Sequence, residues 1–157
     1  MTTIYTGLDI AKLNLQLHFA GRIHDLPNTA AGHRRLCKLL ATQPGAQVIC
    51  EATGGYERAV VAACHAAQVP VSVLNPARVR HFARAQGQRA KTDDIDAAVL
   101  TAYGQALQPK PTVPRTEPEQ QLTALVRRRA QIVDCLVAQR LQASQLTLPA
   151  LRRQAQR

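Results

Sequence analysis

A chain of 157 residues is one domain's length with room for an appendage, and 46% hydrophobic against 19% charged residues is the balance of a globular protein. Lys and Arg number 20 against 10 Asp and Glu, a formal net charge of +10 that favours a polyanionic partner such as nucleic acid. No run approaches the roughly 20 apolar residues of a membrane-spanning helix, and Asp9 interrupts the N-terminal segment where a signal peptide would be apolar, so the expected location is the cytoplasm with no membrane contact.

Residues 4–20 read IYTGLDIAKLNLQLHFA. Apolar and β-branched residues on either side of Ala11-Lys12 predict two strands joined by a tight turn. Leu13, Leu15, Leu17 and Phe19 alternate with polar residues, so the second strand has one buried face. Gly21-Arg22 turns the chain into a short third strand, Ile23 to Leu26. Asn28 or Thr29 then caps a helix through HRRLCKLLA that stops before Pro44-Gly45. A strand at 46–51, a glycine-rich turn, an apolar helix from about Tyr56 to Ala67 and a buried strand at 69–74 follow.

Two further helices are expected, near 77–85 and 93–107, separated by the basic segment 86–92. Pro109, Pro111, Pro114 and Pro118 then predict an extended linker. Beyond it, from Glu117 to about Leu146, Leu122, Leu125, Val126, Ile132, Val133, Leu136, Val137 and Leu141 form a stripe at helical spacing. The expected division is a domain over 1–108, a linker over 109–116 and a helical, coiled-coil-like segment over 117–157. A three-stranded meander followed by helix, strand, helix, strand and helix is an α/β arrangement, a mixed sheet flanked by helices, and it fits the ribonuclease H-like architecture. A doubly wound nucleotide-binding fold is the alternative, but it does not begin with an antiparallel meander.

Cys37, Cys50, Cys64 and Cys135 form no C-x-x-C pair and stand among apolar residues, which reads as reduced small hydrophobes in a core rather than a zinc site or disulfide framework. With aromatics at 3% and no Trp, a stacking platform for unpaired bases has little to be built from.

The acids carry the chemistry. Asp9 and Glu51 lie in or at the end of apolar strands, where an unpaired carboxylate is costly and is expected to be paired, protonated or bound to a cation. Asp93 and Asp96 are spaced i and i+3, on one helix face, with Asp94 beside them. If the two strands are neighbours and the helix packs across their ends, the four acids form an all-oxygen site suited to Mg2+ or Mn2+. Two such ions can serve both the attacking and the leaving oxygen in phosphodiester cleavage. Each acid also has a structural reading: Asp93 as a helix N-terminal acid beside an N-cap Thr92, Asp9 paired with Lys12, Glu51 closing the turn before Gly54-Gly55.

The strings GLDIAK at 7–12, CEATGGYE at 50–57, VSVLNPARVRHFARAQG at 71–87 and KTDDIDAAVLTAYG at 91–104 closely resemble the N-terminal domain of the Piv/MooV-type insertion-sequence transposases. These are DEDD recombinases of bacterial mobile elements, and their first domain is similar to the RuvC Holliday-junction resolvase. The resemblance runs from about Ile4 to Leu107 and more weakly beyond. It implies a RuvC-like fold, a metal-binding catalytic tetrad of Asp9, Glu51, Asp93 and Asp96 with Asp94 a variable neighbour, DNA as substrate, and a nucleoid-associated protein of a bacterial cell. Members of the family continue into a second domain that carries a nucleophilic serine, and a structured guide RNA selects the DNA sites in some of them. Neither Ser72 nor Ser144, the two serines of this chain, lies in a context that would make it that nucleophile, so the expectation is the first part of a transposase that does not complete recombination by itself.

Arg78, Arg80, Arg84, Arg89 and Lys91, with His81, precede the acidic pair and are candidate phosphate contacts. Arg127, Arg128 and Arg129 interrupt the last apolar stripe and are candidates for the same role, and Arg129 prevents an ideal coiled-coil pattern. A lone amphipathic helix cannot bury its own stripe, which predicts a homodimer or higher homo-oligomer. Two other functions stay open on these residues: a resolvase-type, Mg2+-dependent nuclease, and a nucleic-acid-binding dimerisation module without activity.

Overall fold

The computed structural model describes residues 3–87 and 93–145, the side chains of residues 93–95 excepted. Five strands, β1 (Ile4–Ile10), β2 (Asn14–Phe19), β3 (Arg22–Pro27), β4 (Ala46–Glu51) and β5 (Val71–Leu74), form one sheet in the order β3-β2-β1-β4-β5. The β1–β2 and β2–β3 pairs are antiparallel, whereas β1–β4 and β4–β5 are parallel. The meander and the later parallel strands are thus both present, and the mixed sheet is the expected one.

Among the described residues the helices are α1 (Ala30–Ala41), α2 (Glu57–Ala66), α3 (Pro76–Ala85), α4 (Asp93–Leu107) and α5 (Glu117–Gln145). Leu15, Leu17 and Phe19 are buried with Leu8, Ile10, Val48 and Cys50 against Leu36 and Leu40 of α1 and Val60 and Cys64 of α2. The other face buries Ile49 and Leu74 against Val79 of α3 and Val99, Leu100 and Tyr103 of α4. β4 reads as a central parallel strand because both its faces are covered, and Ala46 to Cys50 are buried without alternation. Thr29, rather than Asn28, caps α1, accepting from the Gly32 amide, and Asn75 caps α3 ahead of Pro76 by accepting from Ala77 at 2.8 Å.

The chain divides into two compact units, residues 1–114 and 115–157. The proline segment expected as a linker is in its first half part of the sheet unit. The Thr112 amide donates to the Val71 carbonyl at 2.7 Å, and the Val73 amide donates to the Thr112 hydroxyl at 2.9 Å, so the segment lies along the free edge of β5. Gln47 donates to the Pro109 carbonyl at 2.7 Å, and the Ser72 hydroxyl donates to the Lys110 carbonyl at 2.9 Å. Pro118 falls in the first turn of α5, where a missing amide hydrogen costs no helical bond, and not in the extended segment.

In the second unit α5 runs 29 residues with none buried, and Leu122, Leu125, Val126, Ile132, Val133, Leu136, Val137 and Leu141 are all exposed. Cys135 shares that exposure, which corrects its reading as a core residue: it stands on α5, while Cys50 and Cys64 are buried in the sheet unit and Cys37 is half-buried. Among the described residues no helix is long and apolar enough to cross a membrane.

Candidate active site

Gly7 fixes how closely α4 approaches the sheet. A Cβ at this position would overlap the Ala97 carbonyl oxygen and lie 2.7 Å from the Thr101 amide nitrogen, so only glycine admits the helix here. Gly104 does the same from the helix side, where a Cβ would lie 2.7 Å from that of Tyr5 and 2.8 Å from Ile49 Cγ1. As α4 proceeds from Ala97 to Gly104 its partners on β1 go back from Gly7 to Tyr5, so the helix runs opposite to the strand. Its first turn, with Asp93 and Asp96, therefore lies toward the carboxyl end of β1.

That end carries Asp9. Strand residues two apart share a face, so Asp9 lies on the α4 side with Gly7. In the parallel β1–β4 ladder Gly7 stands opposite Ile49 and Leu8 opposite Cys50. One step further, Asp9 and Glu51 are side by side on that same face, each half-buried, and Asp96 is half-buried as well. Asp93 has its backbone in α4, while its side chain lies outside the described residues. Among the described residues no three His, Cys, Asp or Glu side chains stand close enough together to hold a metal ion.

Thr101, which the sequence reading did not single out, locks α4 onto this position. Its hydroxyl accepts the Gly7 amide at 2.7 Å, donates to the Ala97 carbonyl at 3.2 Å, and stands 2.9 Å from His18 Nδ1. Its only sequence signal was a place one turn after Ala97 within an apolar helix.

The turn after Glu51 is held by Glu57, a residue the sequence reading did not single out for it. The Glu57 carboxylate accepts from the Thr53 amide at 3.1 Å, the Thr53 hydroxyl at 3.2 Å and the Gly55 amide at 2.8 Å. Burial pushes its carboxyl up, but these bonds and its own backbone amide outweigh that and hold it below the usual glutamate value. Gly54 and Gly55, at φ +74° and +127°, supply the left-handed backbone of the turn.

Asn28 ties this turn to the one after β1. Its side-chain amide donates to the Ala11 carbonyl at 2.9 Å and to the Tyr56 carbonyl at 3.4 Å, while its oxygen faces His33 Nε2 at 2.7 Å. Its backbone amide donates to the Leu13 carbonyl at 2.8 Å. The sequence pointed to Asn28 only as a possible helix cap.

Of the basic candidates, Arg78, Arg80 and Arg84 are exposed on α3, which starts directly after β5 and packs beside α4 through the Phe82–Tyr103 edge-to-face pair. Arg89 and Lys91 lie outside the described residues. Arg127, Arg128 and Arg129 are exposed on α5 in the other unit. Ser72 is buried and hydrogen-bonded by Gln47, which makes it a structural residue, and Ser144 donates to the Leu141 carbonyl of its own helix. Burial raises Cys50, with the nearby Glu57 and Glu51 charges adding to it, to about 12, so its thiol is inert.

The profile of the IS110-type DEDD transposases, described as transposase, matches residues 6–148. The chain belongs to this transposase family. Curated relatives called pilin gene-inverting protein, from Moraxella lacunata and Moraxella bovis, are each 28% identical to it over 156 residues, 94% of this chain and 48% of theirs. The transposase chain thus spans about half the length of the curated relatives it matches. A solved structure of Thermus thermophilus RuvC in complex with a Holliday junction substrate superimposes with a TM-score of 0.51 at 16% identity, over 71% of this chain and all of that one. This likeness shows a RuvC-like, ribonuclease H-like fold for the sheet unit, as the order of elements had implied.

Proposed function

We propose that this transposase chain is a metal-binding catalytic domain for DNA recombination, in which Asp9, Glu51, Asp93 and Asp96 hold Mg2+ or Mn2+ and act on DNA phosphodiesters. One observation carries the reading: Asp9 and Glu51 end neighbouring parallel strands on one face, and the first turn of α4 is brought to that end by the Gly7–Ala97 approach. The donor set fits a hard divalent cation, being carboxylate oxygen throughout, with no thiol or imidazole among the four. When bound, such a cation activates an attacking oxygen and stabilises a leaving one. The residues of the chain do the rest. Asp9 and Glu51 present their charge from rigid strands, the first turn of α4 carries Asp96 toward the same end of the sheet, and the exposed arginines of α3 hold DNA by its phosphates and offset the negative site.

In the longer relatives' context, strand exchange would need a further domain with a nucleophilic serine, and a structured guide RNA would select the DNA sites. The stripe on α5 would pair with a second copy of the chain, giving a homodimer that joins two DNA sites. A second reading, a resolvase-type nuclease that hydrolyses branched DNA without help, draws support from the fold it shares with RuvC.

The test is Mg2+-dependent cleavage of branched and linear duplex DNA, together with Mn2+ binding, by the wild-type chain and by Asp9→Asn and Glu51→Gln. Mn2+ binding that both substitutions abolish supports the metal site. Cleavage of branched DNA by the chain alone, lost in the same variants, selects the nuclease reading. Mn2+ affinity unchanged by both variants overturns the metal site.

A further inference from the structure

We propose that Asn28 is a positioning residue of the carboxylate site, a strut that fixes the spacing of Asp9 and Glu51 by bonding both of the turns that follow them. The inference rests on the metal-site reading above. Asp9 lies two residues before Ala11, and Glu51 lies five residues before Tyr56. The two carbonyls that the Asn28 amide joins therefore belong to the chain leaving each acid.

The chemistry fixes which way the side chain faces. Ala11 and Tyr56 offer only carbonyl oxygens, which accept, so the nitrogen of the amide must face them and its oxygen must face His33. His33 Nε2 then carries the hydrogen of the 2.7 Å bond, and His33 is buried at 6% exposure in the first turn of α1, so the strut is anchored in a fixed helix. The backbone amide of Asn28 adds the bond to Leu13. One residue thus holds three points of the two turns, with the side-chain nitrogen bonding two carbonyls and the side-chain oxygen facing His33. A helix cap would need none of this, and Thr29 already fills that role.

Between β1 and β4 the ladder itself sets the strand separation up to Leu8 and Cys50. β1 then runs on to Ile10 and β4 to Glu51 before each enters its own turn, and the Asn28 side chain bonds both of those turns. A cation site loses affinity when its ligands must first be brought together, so a bond that fixes the two turns favours binding.

The experiment compares Mn2+ affinity, by titration of the folded chain with the metal alone, for wild type, Asn28→Asp, Asp9→Asn and Ser72→Ala, with thermal unfolding measured for each. Asn28→Asp keeps the shape and the acceptor for His33 but replaces the nitrogen by an oxygen facing two carbonyls. It is expected to weaken Mn2+ binding tenfold or more. Ser72→Ala removes a buried hydroxyl from the Pro109–Lys110 contact, and is expected to lower the unfolding temperature while binding Mn2+ as wild type does. Should Asn28→Asp not fold, Asn28→Ala, which deletes the strut without adding charge, is read by the same titration. A folded Asn28 variant with wild-type affinity, while Asp9→Asn has lost binding, overturns the strut and leaves the metal site standing. Wild-type affinity in Asp9→Asn overturns both.

Discussion

Gly7 and Ala97 meet with no room for a side chain between them, and this approach sets how closely α4 lies on β1. Gly7→Ala must push α4 outward, because the obstructing atom is a backbone oxygen that cannot swing aside. Overpacking of this kind costs about 1–3 kcal/mol. The expected result is a lower unfolding temperature and weakened Mn2+ binding in the same variant. A Gly7→Ala chain with wild-type stability and affinity would show that α4 does not set the site.

Glu57 should give the domain a distinct acid sensitivity. Its folded value lies below the ordinary glutamate value of about 4.3, so its stabilising effect is complete above that pH and is lost as pH falls through the folded value. Glu57→Gln is expected to cost about 1.5–3 kcal/mol near neutrality, the usual worth of bonds to a charged acceptor. The gap between wild type and variant should close as pH falls through the lowered folded value. Denaturant unfolding of both proteins across this range measures it; a gap that stays constant would mean that the carboxylate charge is not what holds the turn.

Neutralising Arg78, Arg80 and Arg84 together should weaken binding to unrelated duplexes about equally. The slope of log affinity against log salt should flatten by about 0.9 for each phosphate contact removed. Binding isotherms at several salt concentrations, started low enough to observe the variant, give both numbers. An unchanged slope would leave α3 as an ordinary solvated helix face.

The stripe on α5 predicts self-association. Large apolar side chains are worth roughly 1.5–3 kcal/mol each when fully buried, and eight of them are exposed along this helix. Ile132 and Leu136 are one turn apart, so Ile132→Glu with Leu136→Glu places two charges on one side of it. Molecular mass in solution is expected to be that of a dimer for wild type and of a monomer for the double variant. A wild-type chain that stays monomeric at high concentration removes α5 as the interface.

The strands and their mixed sheet were legible because hydrophobic patterning is local: alternation marked β2, an unbroken apolar run marked β4, and the two acids stood out against such backgrounds. The same reading could not see the tie that Asn28 makes, which it took only as a possible helix cap, nor Thr101. Each matters through partners far along the chain, Ala11 and Tyr56 for one and Gly7 and His18 for the other, and neither leaves a periodic trace. Glu57 was hidden for a different reason. Two glutamates flank one glycine turn, and only the geometry shows that the buried one closes it. The proline segment misled because proline excludes helix and ladder donation but not an edge position, and Thr112 between the prolines supplies the amide that β5 accepts.

That edge has a further effect on how the molecule behaves in company. An uncovered border strand is a template onto which a foreign chain can stack, and here the covering segment carries Pro109, Pro111 and Pro114, none of which has a hydrogen to offer a newcomer. The hydrogen-bonded ribbon terminates itself on that side. The β5 edge is therefore closed to pairing between copies of the chain, which leaves their association to side-chain surfaces that can come apart again.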